Sequence, residues 1–260
     1  MTATASAEPL LTARQVTKSF GGLTAVKALT MDIAKGALYG LIGPNGAGKT
    51  TVFNLLTGVY APGEGEIRFA GTRIDRKKPY EITRLGIART FQNIRLFQGL
   101  SVVENVMAAR HLRSRQTLAD AAFGTTRHHQ EERATRDRAM ELLALFDLDA
   151  LAHDPATSLP YGSQRRLEIA RALATDPALL LLDEPAAGMN PQESLDLMRL
   201  IRRLRDEFHV TVLLVEHNMK VVMGICETIQ VIDHGESIAL GTPAEIQRDP
   251  RVIEAYLGGA

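Results

Sequence analysis

The chain has 260 residues with 45% hydrophobic side chains, enough to fill one large domain or a core domain carrying a smaller lobe. Lysine plus arginine (30) balances aspartate plus glutamate (30), which excludes the overall basic footprint of a nucleic-acid-binding domain. The single cysteine, Cys226, excludes an internal disulfide and a multi-thiolate metal site. No apolar run approaches the ~18 residues of a membrane-spanning helix, and Met1 to Pro9 reads as a loose tail, so a soluble, cytoplasmic chain is expected.

Leu10 to Thr17 and Val26 to Ile33 are predicted strands joined by a turn at Gly21-Gly22. Phe20, just before that turn, fits either a residue that stacks on a nucleotide base or an ordinary core phenylalanine. Ala37 to Ile42 is a buried strand by its continuous apolar run, and Thr51 to Leu56 begins a helix. Between them, Gly43-Pro44-Asn45-Gly46-Ala47-Gly48-Lys49-Thr50 fits G-x-x-x-x-G-K-[ST], the pattern of a phosphate-binding loop. Its glycines let the backbone fold back and aim successive N–H groups at an anion, and the following helix, with Thr51, adds its positive end. Lys49 is placed to reach the β- and γ-phosphates of a nucleotide, and the Thr50 hydroxyl to ligate Mg²⁺.

Pro62 to Gly65 is a predicted turn, Glu66 to Ala70 a strand, Tyr80 to Leu85 a short helix, and Ile87 to Phe91 a strand reaching Gln92. A glutamine at that strand end can touch both a metal's water shell and a mobile loop. From Ser101 to about Leu159 the pattern turns helical, and we assign residues 93–176 to a helical subdomain within a single domain of residues 10–258. The pair His128-His129 invites a metal reading. Adjacent helical residues point about 100° apart, however, which favours a solvated face. Ser163 to Ala174 is a helix with Leu167, Ile169, Ala170, Leu173 and Ala174 on its apolar side and Gln164, Arg165, Glu168 and Arg171 opposite.

Leu179 to Leu182 reads as a central strand ending in Asp183-Glu184. With a phosphate loop upstream, Asp183 can hold a water of Mg²⁺ near Thr50, and Glu184 can orient and deprotonate an attacking water. Asn190-Pro191-Gln192-Glu193 is a helix start, and Val210 to Val215 is another strand, ending at Glu216-His217. Ile229 to Leu240 forms a hairpin about His234-Gly235-Glu236, and short helices follow Thr242.

Over about Leu10 to Gly258 the chain resembles the ATP-binding subunits of ABC transporters. The resemblance implies a P-loop α/β core with a mostly parallel sheet, an antiparallel β subdomain and a helical subdomain. It also implies an ATP hydrolase using ATP and Mg²⁺, with Gln92 as the glutamine loop, His217 as the switch histidine and Phe20 as the base-stacking aromatic. Phe20 to Val26, Tyr161 to Arg171, Asp183 to Asn190 and Val252 to Gly258 are similar to one subfamily, the branched-chain amino-acid importers. That similarity implies pairing with a second ATPase subunit, transmembrane permeases and, indirectly, a periplasmic binding protein. It places the chain at the inner face of the plasma membrane. An exporter of lipid or glycolipid, and a soluble ATP-driven module acting on ribosomes or DNA, are the alternatives. Phe91, Leu96, Phe97 and Leu100 fit a groove for a permease helix or a lobe core. One departure stands out. Leu-Ser-Gly-Gly-Gln, the segment that closes on ATP held by the partner subunit, reads Leu159-Pro160-Tyr161-Gly162-Ser163 here, so Pro160 offers neither a hydroxyl nor an N–H and the trans contact is expected to be weakened.

Overall fold

Buried side chains alternate along β1 (Leu11–Phe20) and β2 (Leu23–Ile33), so each strand covers a core with one face and shows the other to water. The computed structural model describes residues 9–113 and 126–257. β3 (Leu38–Ile42) leads through the phosphate loop into α1 (Lys49–Leu56), which is followed by β4 (Glu64–Phe69) and β5 (Thr72–Arg73). β4 and β5 join β1 and β2 in an antiparallel sheet of order β2-β1-β4-β5. β4 starts at Glu64, inside the expected turn. Gly65 takes φ +85° there, and a Cβ would lie 2.4 Å from the Arg14 carbonyl oxygen, so the strand can begin through a position only glycine fills.

The chain continues through α2 (Pro79–Leu85), β6 (Ile87–Arg89), α3 (Val102–Arg110), α4 (Thr126–Leu145) and α5 (Tyr161–Leu173). Then come β7 (Leu179–Asp183), α6 (Pro191–Phe208), β8 (Thr211–Val215), α7 (Met219–Ile225), the hairpin β9 (Thr228–Asp233) and β10 (Glu236–Gly241), and the short helices α8 (Pro243–Ile246) and α9 (Pro250–Leu257). A second sheet has the order β10-β9-β3-β8-β7-β6, parallel except for β10. β3, β7 and β8 are buried at every residue, as central strands covered on both faces must be. Tyr39, Leu41, Leu179 and Leu181 face the core shared with β1, β2, β4 and α1. Leu38, Ile42, Leu180 and Leu182 face the core that Val102, Val106, Leu143, Phe146 and Leu167 of the helices also fill. The register aligns Asp183 with Val215, so β7 and β8 end side by side. That shared edge carries the site.

Two expectations are corrected. β6 ends at Arg89, short of Phe91, because the Phe91 and Gln92 carbonyls turn away from the sheet to accept hydrogen bonds from Arg165. Arg165 and Glu168 are not on an exposed polar face of α5: both are buried, and they satisfy each other and the neighbouring loop. On α6 the Asn190 side chain accepts from the Glu193 amide at 2.9 Å while Glu193 accepts from the Asn190 amide at 2.8 Å, a reciprocal cap at the expected helix start. Cys226 is buried, and burial pushes its thiol up to about 12. The tail to Glu8, much of the charged stretch after Arg113, Gly258 and the His128 side chain lie outside the described residues. Among the described residues no cluster of metal-ligating side chains suits an ion, and no helix is long and apolar enough to cross a membrane.

Candidate active site

The phosphate loop is shaped by close backbone approaches. Gly43 (φ +156°) packs so tightly that a Cβ would sit 2.0 Å from the Ile232 carbonyl oxygen. At Gly48 (φ +103°) a Cβ would lie 2.4 Å from the Ala25 carbonyl oxygen. Any larger residue would push the loop off the β9 strand or the β1–β2 hairpin. The β9–β10 turn completes the fit, with the Gly235 amide donating to the Ala47 carbonyl at 3.0 Å. Lys49 is buried and donates from Nζ to the Gly43 and Pro44 carbonyls at 2.6 and 2.7 Å. Burial lowers its pKa, against the opposing fields of Glu184 and Asp183. α1 begins with no side-chain cap and no acidic residue in its first turn, so its amides and positive end suit an anion.

Across the cleft, Glu184 sits just beyond β7 with φ +50°, a left-handed conformation that costs a non-glycine residue energy. Its amide donates to the Val215 carbonyl at 2.9 Å, which ties the end of β7 to the end of β8. The carboxylate is gripped from both sides: Gln92 Nε2 donates to Oε2 at 3.0 Å, and His217 Nε2 lies 2.6 Å from Oε1. Asp183 is buried and paired with Arg89, whose Nη2 donates at 2.8 Å while Nη1 donates to Asn54 at 2.7 Å. That guanidinium is flanked by the Phe53 and Phe91 rings.

One cleft of about 640 Å³ brings together Phe20, Asn45 to Thr51, Gln92, Glu184 and His217. Gly43 and Pro44 stand behind it as the acceptors for Lys49, and Asp183 lies under the Glu184 turn. Phe20 is exposed to this cleft and meets Tyr60 edge-on at 5.0 Å, so it is not a core phenylalanine. Leu159 to Ser163 lies outside the cleft, at the start of α5. Pro160 and Tyr161 are exposed there, and the Gln164 amide donates to the Pro160 carbonyl at 3.0 Å. Charged residues missed in the sequence also shape the site. Glu216 is buried and accepts from the amides of Ala186, His217 and Asn218 at 2.6, 3.1 and 3.2 Å, holding the Glu184 turn to the His217 loop. Burial raises its pKa above the ordinary carboxylate value. Arg89 and His234 are the others, His234 lining the cleft from the β9–β10 turn. Only Glu216 left a sequence signal, an acid at a strand's carboxyl end beside His217.

Residues 26–187 match the family described as ABC transporter, and residues 236–260 match that described as branched-chain amino acid ATP-binding cassette transporter. The chain belongs to the ABC transporter family. Among ABC relatives, the high-affinity branched-chain amino acid transport ATP-binding protein BraF of Pseudomonas aeruginosa is 46% identical over 97% of this chain and 99% of its own. LivG of Escherichia coli, described in the same words, is 44% identical over 97% and 99%. The lipopolysaccharide export system ATP-binding protein LptB of the same organism is 36% identical over 95% and 97%. The crystal structure of the ADP conformation of MJ1267, an ATP-binding cassette of an ABC transporter, superposes with a TM-score of 0.84. It is 29% identical, over 97% of this chain and 100% of that one. A dimeric post-hydrolysis state of the ABC cassette MJ0796 bound to ADP and phosphate gives 0.77 at 26% identity, over 90% and 98%.

Proposed function

We propose that this ABC protein is the ATP-hydrolysing subunit that drives import of branched-chain or related amino acids. The observation that carries the reading is the convergence of the phosphate loop, Gln92, Glu184 and His217 on one cleft. Lys49 binds and orients the triphosphate, the α1 amides hold its anionic oxygens, and Phe20 offers the base a ring at the cleft rim. Glu184 accepts the proton of the attacking water while Gln92 and His217 fix its two oxygens. The uncapped α1 fits the phosphates, and the exposed Thr50 fits a cation bound to them. Mg²⁺ would be held by Thr50 and, through water, by Asp183 and Gln92, and would supply charge neutralisation at the phosphates.

A second ATPase subunit closes over the cleft, and the segment Leu159 to Ser163 serves the partner's nucleotide rather than this chain's own. The helical subdomain, residues 93–176, moves with that closure. A cleft of about 230 Å³ lined by Phe91, Ile82, Ala109 and Arg171, but not by Leu96, Phe97 or Leu100, offers a permease helix a seat beside the glutamine loop, while Leu96 packs against the core the helices fill. A periplasmic binding protein delivers the amino acid, and the chain lies against the inner face of the plasma membrane. The importer reading is preferred to lipid export because BraF and LivG exceed LptB in identity and residues 236–260 match the branched-chain description. The test is ATP-dependent uptake of leucine, isoleucine and valine by vesicles holding the complex copurified with this chain. Uptake abolished by Lys49→Ala supports the reading; lipid-stimulated turnover without uptake rejects it.

A further inference from the structure

α5 begins in the segment assigned to the partner's nucleotide, and four residues on it carries a guanidinium buried at 2% exposure. Arg165 donates from Nη1 to the Phe91 carbonyl at 2.7 Å and from Nη2 to the Gln92 carbonyl. Glu168, 1% exposed, lies 3.3 Å from Arg165 Nη1 and accepts from the amides of Phe91 and Arg95, each at 3.4 Å. The backbone of this loop is thus gripped by its carbonyls and its amides from one turn of α5. On the other side, Tyr161 stands exposed, and its hydroxyl accepts from Arg165 Nε and Nη2 at 3.3 and 3.1 Å. Its ring lies against Gly188, where an added Cβ would come within 3.1 Å of it, so it also touches the loop after Glu184.

We propose that Arg165 is a positioning residue that sets Gln92, and through it Glu184, according to where Tyr161 places the start of α5. The inference rests on the ATPase reading above. The route is continuous: Tyr161 hydroxyl to Arg165, Arg165 to the Gln92 backbone, Gln92 Nε2 to Glu184 Oε2 at 3.0 Å. The guanidinium serves the two carbonyls from separate nitrogens of one rigid planar fork, Nη1 to Phe91 and Nη2 to Gln92, while its other donors reach Tyr161 and Glu168; an ammonium would have to serve all of them from a single nitrogen. Keeping so costly a buried charge at this place is accounted for by the loop it holds, because both faces of that loop are bonded to the pair. Closure of the partner subunit on Tyr161 then reaches the chain's own Glu184 with no contact between the partner and Glu184.

Steady-state ATP turnover of the complex copurified with its permeases tests this, in the wild-type and Gln92→Ala backgrounds. Arg165→Lys keeps a positive charge beside Glu168, so the buried carboxylate is not left alone. In the wild-type background it is expected to lower kcat about tenfold and leave the KM for ATP within about twofold. In the Gln92→Ala background it should cost less than about twofold, because Arg165 then has nothing left to position. Should Arg165→Lys not fold, Tyr161→Phe removes only the hydroxyl that meets Arg165 and is expected to cost about threefold in the first background and nothing in the second. Equal losses in both backgrounds, or an unchanged kcat, overturn the proposal. An active wild-type complex with additive losses rejects this inference alone, whereas a wild-type complex inactive with Mg-ATP rejects the ATPase reading and this inference with it.

Discussion

The phosphate loop and the Glu184 cluster face each other across one cleft, yet they are held in opposite ways. The loop is contiguous, Gly43 to Thr50, and its shape comes from backbone packed on backbone: Gly43 against Ile232, Gly48 against Ala25. The cluster is assembled from three loops, with Gln92 hydrogen-bonded to Glu184, His217 2.6 Å from the same carboxylate, and the buried Glu216 bracing the Glu184 and His217 loops. A region held by backbone fit tolerates almost no added volume. A region held by side chains tolerates volume but loses its chemistry when one donor or acceptor changes.

The sharpest cut through that comparison is Glu184→Gln, which keeps shape and removes the proposed base. It should lower kcat by about 10² to 10⁴ while ATP affinity, read by fluorescent-nucleotide titration, stays near wild type. Gly43→Ala should do the reverse, lowering stability by about 3 kcal/mol and losing nucleotide affinity with it. A denaturant melt that matches wild type would break the claim that this loop is held by backbone contact. His217→Ala removes one of the two groups on the Glu184 carboxylate, and single-turnover rates should fall about 10- to 100-fold. If the pre-steady-state rate does not move, the histidine is not positioning Glu184. Pro160→Ser places a hydroxyl in the segment proposed to face the partner subunit. Turnover of the assembled complex should rise by less than about tenfold, and an unchanged turnover would show that the serine contact is dispensable here.

The smallest effect concerns the brace. Burial raises the folded pKa of Glu216 above the ordinary carboxylate value of 4.5, so the folded state binds its proton more tightly than the unfolded chain does. The stability this contributes is fully present below 4.5 and is lost as pH rises through the folded pKa. Glu216→Gln keeps a carbonyl oxygen for the Ala186, His217 and Asn218 amides and removes the titration. Its Tm relative to wild type should therefore climb between pH 4 and pH 8; a constant offset across that range would count against a buried, raised carboxylate.

The two regions also differ in how they were legible. Glycine spacing, Lys49-Thr50 and a strand followed by a helix lie in one continuous stretch from Leu38 to Leu56, so the loop could be read directly. β3, β7 and β8 were readable because short unbroken apolar runs have few other places to go than a sheet covered on both faces. Gln92, Glu184 and His217 could be named as strand-end polar residues. Their mutual contacts could not, since they depend on the β7–β8 register and on where the chain leaves β6. The helix around Arg165 shows the same limit from the other side. Periodicity sorts charged residues to the solvent face, and Arg165 and Glu168 obey the helical period while breaking the burial rule it usually carries.

The sequence by itself determined most of the elements and the pattern of a phosphate loop, because both are written in local spacing that folding preserves, and its resemblance to a known family supplied the rest of the reading. Tertiary structure alone decided that Arg89 would neutralise Asp183, that Glu216 would tie the Glu184 and His217 loops together, and that Arg165 would hold the glutamine loop. A buried charge is stable only beside the group that satisfies it. Those partners lie tens to nearly a hundred residues away along the chain and become neighbours only when the sheet closes.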